Sequence, residues 1–107
     1  MNRLNFGDIV LLNFPYTNGE KSKKRPAMII RDFDDEDIVV VRITSQFNKT
    51  EFDFEIEKWK EAGLRLPSII RLHKIATLEK SMVEVVMGCI ENQLKLEIKK
   101  SVALLIQ

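Results

Sequence analysis

Three apolar runs rich in β-branched residues, Asp8–Phe14, Pro26–Arg31 and Ile38–Ile43, follow one another too closely for helical crossovers to fit between them. Parallel neighbours need long crossover connections, so the pattern predicts antiparallel strands joined by short turns. Pro15 ends the first run, Asn18-Gly19 is a turn signal, and an acidic stretch separates the second run from the third. Phe52–Ile56 alternates with period two, which predicts a fourth strand with one packed and one wet face. Glu57–Gly63 is predicted as a short helix stopped by Gly63 and anchored by Trp59. Pro67–Leu72 opens another strand region that continues through Ile75 to Leu78. Val83–Ile90 reads two ways: its valines and Met87 favour a strand, while Gly88 favours an interruption. Leu94, Ile98, Val102 and Leu105 recur at helical spacing, predicting a helix over 91–106 that covers an open edge. The expected fold is one domain over residues 1–107, mainly β: a small barrel of antiparallel strands with peripheral helices, one of them C-terminal.

Several function classes recede at this stage. No apolar run approaches the roughly 18 residues of a membrane span, and no secretory leader is expected before the first strand. Cys89, the single cysteine, has no internal disulfide partner and no ligands at metal spacing; it is expected to be a small core residue. The expectation is a cytoplasmic protein with no membrane association, no metal and no cofactor. Because a small barrel leaves little room for a deep pocket, its site should lie between surface loops or across a subunit interface. A polymer or a partner protein is then a better ligand than a buried metabolite.

The formal charge is only +1, so a nucleic-acid site would have to come from how charge is distributed. Residues 1–31 carry six basic side chains against two acids, with Lys21, Lys23, Lys24 and Arg25 concentrated in one stretch. Asp32, Asp34, Asp35, Glu36 and Asp37 follow at once. The basic stretch is expected on a loop that enters the second strand, and the acidic one at the turn that leaves it. At roughly 3.3 Å per residue, the two would sit about 15 to 20 Å apart. The acidic turn is read as a hairpin terminator that repels edge pairing.

If the second and third strands form a hairpin, their open ends bring Arg25 within side-chain reach of Thr44, with Ser45 and Gln46 beside it. An arginine fork suits a tetrahedral oxyanion, and a hydroxyl can fix its orientation. RNA fits such a pair because it carries its own nucleophile, the 2′-hydroxyl. Aligning that group with the leaving 5′-oxygen needs no metal and yields a 2′,3′-cyclic phosphate and a 5′-hydroxyl. Arg25 would hold the charge that grows on the phosphorus oxygens and Thr44 would donate to the phosphate. Proton transfer is unassigned: His73, the only histidine, is a candidate to touch substrate or take part in catalysis, as are Ser45 and Gln46, and Arg71, on the same strand face as His73, is a candidate to bind RNA. Tyr16 and Phe47, in loops beside the proposed site, are candidates to stack on unpaired bases, and Phe14 and Phe52 are expected in the core. Lys21, Lys23 and Lys24 would contact the RNA backbone. Asp53, Glu55 and Glu57 alternate as a metal set could, but a solvated strand face accounts for them.

The ordered set Gly7-Asp8-Ile9-Val10, Phe14-Pro15-Tyr16-Thr17-Asn18-Gly19, Lys24-Arg25-Pro26-Ala27-Met28-Ile29-Ile30, Ile43-Thr44-Ser45-Gln46, Leu66-Pro67-Ser68-Ile69-Ile70-Arg71-Leu72 and Lys74-Ile75-Ala76-Thr77-Leu78 resembles the MazF/PemK (Kid) family of toxin endoribonucleases. The resemblance covers nearly the whole chain. It implies an SH3-like barrel, usually a homodimer, that cuts single-stranded RNA at short sequences without metal. It also implies a cognate antitoxin whose disordered acidic or hydrophobic tail folds over the dimer groove. The family's arginine and threonine fall on Arg25 and Thr44. The short, lysine-rich first loop and the regular acidic turn after Arg31 depart from the pattern, and the cut sequence is not carried over. Two other readings stay open at this point, a noncatalytic SH3-like RNA- or protein-binding module and a metal-dependent nuclease.

Overall fold

The computed structural model of the chain describes residues 3–14 and 23–107. Six strands follow in order: β1 (Asp8–Phe14), β2 (Lys23–Asp32), β3 (Asp37–Thr44), β4 (Asp53–Ile56), β5 (Ser68–Glu79) and β6 (Val83–Cys89). They form one sheet in the order β4-β5-β3-β2-β1-β6, and all five pairings are antiparallel, as the short connections require. Val83–Cys89, which the sequence left open, is a strand. A helix, α1 (Asn92–Val102), ends in a 3₁₀ turn over Ala103–Ile106, which replaces the last turn of the longer helix expected. Leu94 and Ile98 of the expected stripe are buried and Leu105 packs partly buried against the same core, whereas Val102 is exposed.

The central strands are apolar on successive residues because they are buried on both faces. On one face Ile9, Met28, Val41, Ile43 and Ile70 pack with Leu94 and Ile98 of α1. On the other, Val10, Leu12, Ala27, Ile29, Ile38 and Val40 pack with Leu4 and Val83. The helix therefore closes the first face. The second is covered near Leu4 and stays open toward the starts of β2 and the end of β3, where the polar candidates lie.

Three expectations need correction. Lys23, Lys24 and Arg25 do not sit on a loop: β2 begins at Lys23, because Phe14 at the end of β1 pairs with it. Residues 57–63 form hydrogen-bonded turns instead of a helix, with Ala62 N–H donating to Lys58 O (3.1 Å) and Leu64 N–H to Trp59 O (2.9 Å). So short a segment gains little from helix propagation, and Gly63, at φ +89°, turns the chain out of it toward β6. Trp59 does pack partly buried against the first core. Cys89 is exposed at the end of β6, since the core there is already filled by Ile90 and its neighbours.

The segment after β4 also curls the sheet toward a barrel. A Cβ on Gly63 would strike the carbonyl of Met87, and one on Gly88 would strike that of Ala62, so the two backbones touch where side chains cannot fit. The β4 side thus meets edge strand β6 through contact between main chains, with no ladder between them.

The acidic stretch does more than terminate a hairpin. Asp32 is 2% exposed and its carboxylate accepts from Leu4 N–H (2.8 Å), Lys80 Nζ (2.7 Å) and Asp34 N–H (3.0 Å). It ties the N-terminal segment, the β2–β3 hairpin and the 3₁₀ turn Lys80–Met82 together. The Lys80 hydrogen bond first, then the Leu4 amide, outweigh burial and bring its pKa down from 3.8 to about 2.

Two outcomes follow. Gly88→Ala should cost about 1 to 3 kcal/mol in urea unfolding, because the added methyl has only backbone to push against. Asp32→Asn should unfold more easily at neutral pH and also flatten the acid limb. With a depressed folded-state pKa, the wild-type contribution is complete above 3.8 and is lost as pH falls through about 2. Unfolding midpoints across that interval should therefore drop more steeply for wild type than for the variant.

Candidate nucleic-acid interface

Pro26 decides the local geometry of the site. It lies within β2 and pairs with Leu11 on the β1 side, but it has no N–H to offer β3. The β2–β3 ladder accordingly begins at Ala27, opposite Arg42. Continuing that register by two residues sets Arg25 level with Thr44 on the same face of the sheet, beyond the last paired residues. Both are half-buried. On the β2–β3 side the ladder therefore stops short of the level of Arg25 and Thr44. Thr44 Oγ1 accepts the Gln46 N–H (3.1 Å), which fixes the oxygen and leaves its proton free to be donated. Ser45, Gln46 and Phe47 are exposed just after the strand end.

Arg25 also borders an open groove of about 400 Å³ with an apolar floor that includes Leu12, Ala27, Val40 and Leu78. Arg42 and Lys74 share its rim. A larger cavity, about 590 Å³, lies at the other end of the hairpin among Asp34, Asp35, Glu36 and Glu79. The acidic turn is thus separated from Arg25 by the length of β2, and the positive field of the groove is not cancelled by it.

Strand alternation splits the basic stretch. Lys23 is exposed and shares the face of Arg25, whereas Lys24 turns to the other face and pairs with Glu84 of β6 at 2.8 Å. Lys24 is thus set apart from the face of Arg25, in an exposed ion pair. Tyr16 and Lys21 lie outside the described residues, as does the Asn18-Gly19 turn.

On β5 the register with β3 slips between Arg71, which faces Arg42, and Ile75, which faces Val41. Leu72, His73 and Lys74 fall in that bulge, a device that re-aims side chains beside a site. His73 is exposed, 3.5 Å from Arg71 across Nε2 and a terminal guanidinium nitrogen, and its ring lies 6.3 Å from that of Phe52. Arg71 and His73 are therefore together, as their spacing suggested. Phe14 and Phe52 are partly buried against the two cores.

Asp53 was read as part of a solvated face, and here the structure differs. Its side chain is only 2% exposed, because β4 pairs with β5 and sets it directly opposite Arg71. Asp53 Oδ1 accepts Arg71 Nε at 3.0 Å, and Oδ2 accepts both the amide and the hydroxyl of Thr50 at 2.9 Å. Burial pushes its carboxyl up, but the Thr50 and Arg71 contacts prevail and its pKa is lowered. A carboxylate so committed is not available to a metal set with Glu55 and Glu57. Arg42 was missed altogether, although its alternation with Thr44 along β3 placed it on the same face.

The family model for the PemK-like, MazF-like toxin of type II toxin-antitoxin systems matches residues 5–106. The chain belongs to this family. Among solved structures, the toxin is similar to an endoribonuclease from Mycobacterial species in complex with its cognate antitoxin, at TM-score 0.76 and 16% identity over 97% of each chain. It is also similar to an endoribonuclease from Mycobacterial species at TM-score 0.74 and 17% identity, covering 97% of this chain and 91% of the other. At such identities the likeness shows the six-stranded antiparallel fold with its C-terminal helix. A search of curated proteins gives no significant match. No helix of the toxin among the described residues is long and apolar enough to cross a membrane.

Proposed function

We propose that the toxin is an endoribonuclease that cuts single-stranded RNA between Arg25 and Thr44, using the 2′-hydroxyl of the substrate as nucleophile. The observation that carries this reading is the ladder gap at Pro26, with Arg25 and Thr44 level on one face and the Thr44 oxygen already held by Gln46 N–H. In the reaction the 2′-hydroxyl gives up its proton as its oxygen bonds to phosphorus, the bond to the 5′-oxygen breaks, and the leaving oxygen takes up a proton, with no net proton gained or lost. The products are a 2′,3′-cyclic phosphate and a 5′-hydroxyl, with no metal in the step. Arg25 neutralises the nonbridging oxygens as the pentacoordinate state forms, and Thr44 donates to the same phosphate. Lys23 attracts the backbone and Phe47, half exposed, offers a ring to an unpaired base.

The same groove supports the partner assignments. Its basic rim over an apolar floor suits an antitoxin tail that combines acidic with apolar side chains, and one structural relative is seen in complex with its cognate antitoxin. Membership of the MazF/PemK family, whose resemblance implies a homodimer, supports a second copy of the chain as partner.

Incubation with a long mixed-sequence RNA in chelator, followed by mapping of ends, tests the chemistry. Discrete cuts with 5′-hydroxyl ends are expected, and loss of cleavage in chelator or 5′-phosphate ends would defeat the reading. Arg25→Ala should fold yet nearly abolish turnover, while Thr44→Ala should lose about 1 to 3 kcal/mol of transition-state stabilisation. Lys23→Ala should weaken binding and lower the slope of log affinity against log salt by about 0.7.

A further inference from the structure

We infer that Arg42 and Arg71 form a second phosphate subsite, one nucleotide along the RNA from the bond cut at Arg25 and Thr44, with Asp53 as the residue that positions Arg71. This rests on the endoribonuclease reading and adds to it a binding site built from different side chains.

The starting point is an electrostatic imbalance. Arg42 and Arg71 stand directly opposite on adjacent strands, an arrangement of like charges that costs stability unless something compensates. Asp53 compensates only one of them, through Arg71 Nε. Among the described residues Arg42 has no ion-pair partner and is exposed, so the pair keeps one positive charge in excess. Asp53 is itself immobilised by Thr50, so the guanidinium of Arg71 is held from behind while its terminal nitrogens remain free of carboxylates. Arg71 is 19% exposed, enough to reach a ligand without being free to swing. A fork fixed at Nε, with a terminal nitrogen 3.5 Å from His73 Nε2 and a second arginine opposite on the next strand, is suited to a tetrahedral anion.

Position identifies the anion. Arg42 and Thr44 are alternate residues of β3, about 7 Å apart along the strand. That is the step between successive phosphates of an extended single strand. An RNA whose scissile phosphate sits between Arg25 and Thr44 therefore carries its neighbouring phosphate to Arg42 and Arg71. Lys74, on the same rim, adds to the field there.

The test uses a short RNA carrying the mapped cut sequence, alone and with a single neutral methylphosphonate on either side of the scissile phosphate. For Arg42→Gln on native RNA, KM should rise about tenfold with kcat little changed, and the salt slope should fall by about 0.7. In wild type the methylphosphonate on one side should reproduce that rise, and on Arg42→Gln the same substitution should add nothing. Asp53→Asn should raise KM on native RNA but not on the RNA bearing that methylphosphonate, a selectivity that general loosening of the fold would not show. Arg42→Lys should restore the salt slope and recover only part of the affinity. If Arg42→Gln binds and cuts native RNA like wild type, or if its effect adds in full to that of either methylphosphonate, the subsite is wrong; unchanged RNA kinetics would leave the arginine pair to a protein partner. Failure of the parent reading looks different: Arg25→Ala would then cut normally, whereas loss of the subsite alone leaves Arg25→Ala inactive.

Discussion

Burial of β1, β2 and β3 on both faces is the constraint from which the rest of the molecule follows. A strand with Ile9 in one core and Val10 in the other has no wet side on which to place chemistry. Polar function is pushed to places where the ladder stops: the unzipped ends at Pro26 and Thr44, the bulge at Leu72–Lys74, and the hairpin tip. The same constraint explains why α1 covers one face only. If both faces were closed along their length, the strand ends that carry Arg25, Arg42 and Arg71 would be inaccessible to a polymer.

Two aspartates show how the fold handles charge under these conditions. Asp32 and Asp53 are both nearly inaccessible, and each is matched by one cation and by backbone or hydroxyl donors. Breaking either pair from one side would strand a partner in a poorly hydrated place, which is more costly than the net worth of the pair. Their roles differ by location. Asp32 ties together segments far apart in the chain, whereas Asp53 orders a guanidinium at the edge of the groove.

Much of the fold was legible because the strands are short, apolar and closely spaced, and antiparallel pairing needs nothing more. The level of Arg25 with Thr44 was legible too, since a hairpin with its turn at one end must bring its open ends together. What sequence could not supply was information carried by register. Lys23–Arg25 look like a loop because lysines are polar, yet pairing with Phe14 draws them into β2. Asp53 looks solvated because it alternates with apolar neighbours, and only the β4–β5 register reveals Arg71 across from it. Cys89 and the turns at 57–63 were misjudged for a related reason: what surrounds them comes from distant segments. The identity of the family was carried by ordered motifs, and it survives at identities where pairwise likeness conveys fold alone.

The touching backbones at Gly63 and Gly88 make the barrel a ring fastened by a clasp, with van der Waals contact standing where hydrogen bonds join every other pair of neighbours. Such a clasp can slip without breaking a ladder. Because β4 stays laddered to β5, slippage there would carry Asp53 and Arg71 together and leave their pairing intact. The closure of the ring is thus hostage to two residues chosen for having no side chain at all.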